Sequence, residues 1–243
     1  MTTQVAIITG ASRGIGAVVA RQLAADGYAV AINYASSATE ASKLVVELRQ
    51  AGHQAIAIQG DVSKPADIKR LFDETETQLG KVDVLVNNAG ILKALPLAQH
   101  SDELYNQNFD IHTRGTFNAL REAATRLNDG GRIVNFSSST VGLNFPGYAV
   151  YIASKAAVES LTHVFAKEMR GRGITVNAVA PGPVATDLFL HGKSEEQIQG
   201  MAKMAPLERL GQPEDVARVV SFLVSPAAGW INGQTLRTNG GLV

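Results

Sequence analysis

Residues 5–16 read VAIITGASRGIG, a short apolar run that passes through Thr9 into a turn carrying Gly10, Gly14 and Gly16. The β-branched run predicts a buried strand over Val5–Thr9. Ile15, Val18, Val19 and Leu23 then recur with helical spacing until Gly27 ends the helix. Glycine at such a junction lets the chain turn tightly, and it brings backbone N–H groups close to an anion held at the positive end of the helix. The spacing differs from G-x-G-x-x-G, and the chain holds no phosphate loop. Gly192-Lys193-Ser194 resembles the end of one, but Asp187 stands where its leading glycine is required.

Outward from this unit the pattern repeats along the chain. Strands are predicted at Ala29–Asn33, Ala55–Gln59, Val82–Val86, Ile133–Phe136, Thr175–Ala180 and near Thr235–Thr238, with helical patterns between them. Ser37 and Glu40 have the spacing of a capping box, and Pro65 and Pro213 stand where helices open. Long helical stretches are predicted from Ser101 to Leu127 and from Tyr151 to Met169. Seven strands joined by helices of this length require a parallel sheet covered on both faces. The expected fold is α/β, a doubly wound Rossmann fold forming a single domain over residues 1–243. Between Thr186 and Gly211 the periodicity is poor, and this insertion reads either as a lid over a substrate or as an irregular connection.

Lys plus Arg and Asp plus Glu number 22 each, so no excess positive field draws the chain to nucleic acid or to an anionic membrane. The first apolar run is too short for a signal peptide, and no stretch approaches the ~20 apolar residues of a membrane span. The lack of cysteine excludes disulfides, thiolate metal sites and a cysteine nucleophile. His53, His100, His163 and His191 have no metal-ligand spacing. The expectation is a cytoplasmic protein with no metal.

An acidic residue about 20 positions past the glycines marks enzymes that bind NAD, because it holds the ribose hydroxyls and repels a 2′-phosphate. That position here is Tyr34, and no carboxylate occurs between Asp26 and Glu40. The segment Asn33, Tyr34, Ala35, Ser36 and Ser37 offers neutral donors, and Arg13 in the glycine turn suits a phosphate. NADP(H) is therefore the expected cofactor. Asp61, just past the third strand, suits either the adenine amine or the capping of its own loop.

Tyr151 and Lys155 lie four apart in a predicted helix and share a face. A phenol with a pKa near ~10 is a poor base at neutral pH, and a nearby ammonium is expected to bring it down. Ser138, 13 residues before Tyr151, lies just beyond the carboxyl end of a strand, where open α/β sheets bind ligands. Its neighbours Ser137 and Ser139 leave open a plain polar loop.

In order and spacing these pieces resemble the short-chain dehydrogenase/reductase family over essentially the whole chain. They are TGASRGIG at 9–16, including Ser12, then Asp61-Val62, NNAG at 87–90, Ser138, Tyr151 to Lys155, and PGPVAT at 181–186. The resemblance implies hydride transfer between the nicotinamide and a carbonyl or alcohol. Ser138 would hold the substrate oxygen and Tyr151 would donate the proton on reduction. Lys155 would bind the nicotinamide ribose and lower the tyrosine pKa. Asn87, Ala89 and Gly90 would line the cofactor cleft, with Pro181, Gly182 and Val184 beside it, and Thr186 would bond the carboxamide. A homotetramer of dihedral symmetry is also implied.

The chain departs from the family at His112. The family commonly has N-x-x-G-x-F where this chain reads HTRGTF at 112–117, so His112 replaces an Asn that supports a water-linked proton path. An imidazole there can still bond a water, and it is expected to add a titration near ~6.5; packing alone is the other reading. The preferred substrate is a free ketone or aldehyde, with a quinone or sugar still open. A 3-oxoacyl-(acyl carrier protein) reductase is the alternative: Arg172 suits an acidic carrier, but Asn128 and Asp129 do not. A non-catalytic NADP(H) sensor is the alternative of another class, and it has no need of the Ser138, Tyr151 and Lys155 set.

Overall fold

The computed structural model describes residues 3–243, so Met1 and Thr2 of the expected domain lie outside the described residues. Its first half runs β1 (Val5–Ile8), α1 (Gly14–Ala25), β2 (Ala29–Tyr34), α2 (Ala38–Gln50), β3 (Ala55–Gln59) and α3 (Pro65–Gln78). The second half opens with β4 (Val84–Asn87), α4 (Asp102–Asn108) and α5 (Gly115–Arg126), then β5 (Arg132–Phe136), α6 (Thr140–Leu143) and α7 (Ala149–Glu168). It ends with β6 (Thr175–Pro181), α8 (Asp187–Leu190), α9 (Glu195–Met204), α10 (Pro213–Val224) and β7 (Thr235–Thr238).

All seven strands are parallel, in the order β3-β2-β1-β4-β5-β6-β7. Alternation along β1 divides the core. Ala6 and Ile8 face α1, α2 and α10, where Leu23, Leu44 and Leu223 are buried, and Ile7 faces α3, α5 and α7, where Phe72, Leu120 and Phe165 are buried. The strand order reverses between β1 and β4, and a crevice opens outside the carboxyl ends there. The doubly wound fold is as expected, with strand ends moved by one or two residues.

Two local expectations are corrected, and one is borne out with a local change. Ser37 stands at the N-cap of α2, but its side chain makes no capping hydrogen bond, so the capping box with Glu40 does not form. The helical stretch after Ser101 is continuous but carries a π-helical segment, Phe109–Arg114, between α4 and α5. The stretch between Thr186 and Gly211 contains two helices, α8 and α9, and α9 opens with a capping box of Ser194 and Gln197. Among the described residues no helix is long and apolar enough to cross a membrane.

Candidate active site

The turn after β1 is shaped by close approach. Gly10 and Gly14 have φ of +62° and +57°, and a Cβ on Gly10 would lie 2.7 Å from Ala89 Cα. A Cβ on Gly16 would lie 2.4 Å from Asn88 Nδ2. That amide donates to the carbonyls of Thr9 and Gly10 at 2.9 and 3.0 Å, so the NNAG segment buttresses the glycine turn. Asn33 Oδ1 accepts from the Gly10 amide at 3.3 Å, and its Nδ2 donates to Gly60 O at 3.0 Å, joining the ends of three strands.

Gly10, Ser12, Arg13, Gly14, Ile15 and Gly16 line a single cleft, and Tyr34, Ala35, Ser36 and Ser37 line one end of it. Arg13 makes no ion pair among the described residues. Asp61 and Val62 also line the cleft, although Asp61 Oδ1 accepts from the Ser63 amide and hydroxyl at 2.9 and 2.7 Å. The loop-capping reading of Asp61 therefore holds for that oxygen.

Ser138, Tyr151, Lys155 and His112 line the same cleft beyond the glycine turn. Ser137 donates to Glu159 at 2.6 Å and Ser139 to Ala180 O at 2.8 Å, which leaves Ser138 as the serine of the three with its hydroxyl turned to the chemistry. Ser138 Oγ accepts from the Thr140 hydroxyl at 2.9 Å and the Thr140 amide at 3.3 Å. With its lone pairs so occupied, its own proton is directed outward. Lys155 is buried, and its Nζ donates to Phe136 O at 2.8 Å.

Burial governs both titratable groups. It pushes the Tyr151 phenol up to about 12, with a hydrogen bond from Ser138 acting the other way. It pulls the Lys155 ammonium down to about 7. The expected lowering of the phenol by the lysine is thus corrected. Lys155 Nζ lies 6.0 Å from the Tyr151 ring centroid, and burial, not the lysine, sets the direction of the shift.

His112 is also buried. Its Nε2 accepts from the Ile91 amide at 3.0 Å, so Nδ1 carries the proton and donates to Ser154 Oγ at 2.8 Å. Ser154 in turn donates to Tyr151 O at 2.7 Å. Burial, with Lys155 adding to it, pulls the imidazole down to about 2, so the expected titration near ~6.5 is corrected: the ring stays neutral. Both ring nitrogens bond to protein atoms, which ties His112 to the structure on either side.

A family model described as enoyl-(acyl carrier protein) reductase matches residues 10–243. A short-chain type dehydrogenase/reductase of Picea abies is 45% identical, covering 99% of this chain and 92% of that protein. The chain belongs to the short-chain dehydrogenase/reductase family. An NADPH-dependent aldehyde reductase-like protein, chloroplastic, of Arabidopsis thaliana is 41% identical over 99% of this chain and 94% of its own length. Among solved structures, a blue fluorescent protein from a metagenomic library in complex with NADPH superposes with a TM-score of 0.94 at 38% identity. It covers 100% of this chain and 98% of that one.

Within this short-chain dehydrogenase/reductase, Ala89, Gly90, Pro181, Gly182, Val184 and Thr186 all line the cleft. Asn87 does not, and this expectation is corrected. As the last residue of β4, Asn87 turns inward and donates to Asn135 Oδ1 at 2.9 Å, while its neighbour Asn88 faces the cleft. Thr140, Phe145 and Tyr148 also line the cleft, as do Phe189, Met201 and Met204 from the insertion between Thr186 and Gly211, though none of the six was singled out by residue from the sequence. The capping spacing of Ser194 and Gln197 was the available signal for the helix that carries the two methionines.

Proposed function

We propose that this chain is an NADPH-dependent reductase of a free ketone or aldehyde, reversible toward the alcohol. The observation that carries the reading is one cleft with two chemistries. The glycine turn with Arg13, Ser36 and Ser37 lies at one end, and Ser138, Tyr151 and Lys155 lie at the other. The residues fit NADP(H). The turn has no room for a Cβ at Gly10 or Gly16, Tyr34 replaces a repelling carboxylate, and the Ser37 hydroxyl is not used as a cap. Arg13 with Ser36 and Ser37 would receive the 2′-phosphate, and Thr186 the carboxamide. Bound there, NADPH would supply a hydride to the carbonyl carbon, which leaves one proton for the protein to deliver.

Tyr151 delivers that proton to the carbonyl oxygen. Its raised pKa keeps the phenol protonated, as a proton donor must be. Ser138 donates a second hydrogen bond to the same oxygen and stabilises the charge that develops there. Lys155, held by Phe136 O, would bind the nicotinamide ribose and hold a proton that can be returned toward the phenol.

The carrier-protein alternative is disfavoured by Arg172. Its Nε pairs with Asp129 at 2.7 Å, and its remaining nitrogens donate to the carbonyls of Ala124 and Leu127. Its charge is spent locally rather than presented to an acidic partner. A cytoplasmic location and a homotetramer remain part of the reading. Tyr151→Phe tests the reading. Turnover should vanish while NADPH binding stays within a few-fold, and near-normal turnover would overturn it.

A further inference from the structure

Past Tyr151 the cleft changes character. Leu143, Phe145 and Tyr148 form one wall, from the segment leading into α7, and Phe189, Met201 and Met204 form the other, from α8 and α9. The Phe145 and Tyr148 rings lie 6.1 Å apart, and Tyr148 meets Tyr151 edge-on at 6.2 Å, so an aromatic face runs outward from the proton donor. Methionine side chains opposite it adapt to the outline of a ring.

The charges are as informative. The cleft is lined by Arg13, Asp61, Lys155 and Asp187. Arg13 and Asp61 stand at the glycine-turn end, and Lys155 is held behind Tyr151 by Phe136 O. Asp187, next to Thr186 at the start of α8, is the remaining charge of the lining, and it makes no ion pair among the described residues. Of the cations in α8, α9 and the turn between them, Lys193 is folded back over the Phe189 ring at 4.5 Å and donates to Phe189 O, and Lys203 on α9 is exposed and does not line the cleft. A carboxylate or phosphate entering this chamber would lose its water, gain no cation and meet Asp187.

We infer that the substrate is an uncharged carbonyl compound carrying an apolar, ring-bearing substituent, and neither a keto acid nor a carrier-bound thioester. The inference rests on the reductase reading for its chemistry. Its selectivity comes from these walls: a ring buried between them leaves water on both faces, whereas a short aliphatic aldehyde reaches only Tyr151 and Ser138.

Three aldehydes of matched electrophilicity test it, each with NADPH: 3-phenylpropanal, the same compound with a carboxylate para on the ring, and propanal. The expected kcat/KM for 3-phenylpropanal exceeds that of each of the others at least thirtyfold, and acetoacetyl-coenzyme A falls below it by at least as much. Met201→Lys should move the ratio of carboxylate to neutral ring at least tenfold toward the carboxylate. Binding is read apart from turnover, by the thermal shift that 3-phenylpropan-1-ol or its para-carboxylate produces. Equal or better use of the carboxylate, of propanal or of the thioester overturns the inference and leaves the reductase reading standing. A thermal shift confined to the neutral alcohol, with no NADPH oxidised by any compound, keeps the chamber's chemistry and removes the reductase reading. No shift and no turnover removes both.

Discussion

His112 Nδ1 lies 2.8 Å from Ser154 Oγ, and through that hydroxyl the imidazole is tied to the backbone oxygen of Tyr151. Its other nitrogen holds the Ile91 amide, so one ring braces the loop after NNAG against the helix of the proton donor. A Cβ on Gly90 would lie 3.2 Å from that nitrogen, so the glycine and the histidine pack against each other.

Two outcomes follow for His112. Burial holds the imidazole down at about 2 and Lys155 titrates at about 7, so an inflection of the wild-type rate near neutrality belongs to the lysine and should persist unchanged in His112→Asn. An Asn at this position still reaches Ser154 but leaves the Ile91 amide unpaired. His112→Asn should therefore keep kcat within about fivefold, while His112→Ala should lose at least about tenfold with KM little changed, or ~1.4 kcal/mol. In stability the folded pKa lies below the unfolded one. The contribution of the neutral ring is full above about 6.5 and is lost as pH falls toward 2, because the unfolded chain takes up the proton first. Urea midpoints at pH 7 and pH 4 should fall less in His112→Asn than in wild type.

Thr140 directs Ser138. Its hydroxyl donates to Ser138 Oγ at 2.9 Å, which leaves the serine proton for the substrate oxygen. Thr140→Val keeps the shape and removes the donor, so kcat should drop about five- to tenfold with KM nearly constant, roughly 1–1.4 kcal/mol. Thr140→Ser should restore it. Steady-state kinetics of the three proteins decide the matter, and an unaffected Val variant would leave Thr140 as a packing residue.

How much of this site could be read in advance follows from how local each signal is. The glycine turn and the Tyr151–Lys155 pair are set by neighbours within a few residues, and both lie where they were expected. The choice between Asn87 and Asn88 is made by the pleat at the end of β4, which a motif of consecutive residues does not encode. Helix α9 is ten residues long with Gly200 in its middle, so Ile198, Met201 and Met204 make a pattern too short to stand out from the connection around it. The titration of Tyr151 and of His112 depends on burial under distant segments, and charge spacing along the chain carries no record of it.

Lys155 should make stability depend on pH. Its folded pKa is pulled down from 10.5 to about 7 by burial. Below 7 both states hold the proton and the desolvation penalty is fully present. Above 7 the folded protein sheds it while the unfolded chain keeps it up to about 10.5, so stability rises with pH across this window. The slope from this group alone approaches ~1.4 kcal/mol per pH unit. Lys155→Met should flatten it, seen as urea midpoints at pH 7.5 and 9.5 measured without nucleotide.

The helices also bear on assembly. Phe117 on α5 and Val164 on α7 are 45% and 55% exposed, and Trp230 is fully exposed. We propose that these residues are covered in a homotetramer. Light scattering at micromolar concentration should give four copies. Trp230 is the chain's one tryptophan, so its emission should shift to the red as the protein dissociates on dilution. A monomer with a fully solvated tryptophan at every concentration would contradict the proposal.

The cofactor preference is the prediction with the fewest steps between residue and measurement. Tyr34 ends β2 at the position where an acidic side chain would repel a 2′-phosphate, and Arg13, Ser36 and Ser37 line the cleft beside it. One charge-assisted contact to a phosphate is worth enough to favour NADPH over NADH by at least about tenfold in kcat/KM, ~1.4 kcal/mol. Arg13→Ala removes the contact, so it should raise KM for NADPH and leave NADH nearly unchanged. Tyr34→Asp adds repulsion, so it should erode the preference further by offering the ribose hydroxyls an acceptor. The effect belongs to the nucleotide, so kcat at saturating NADPH should change little in Arg13→Ala. Equal use of both nucleotides by the wild type, or an Arg13→Ala variant that weakens NADH as much as NADPH, would refute the reading of this end of the cleft.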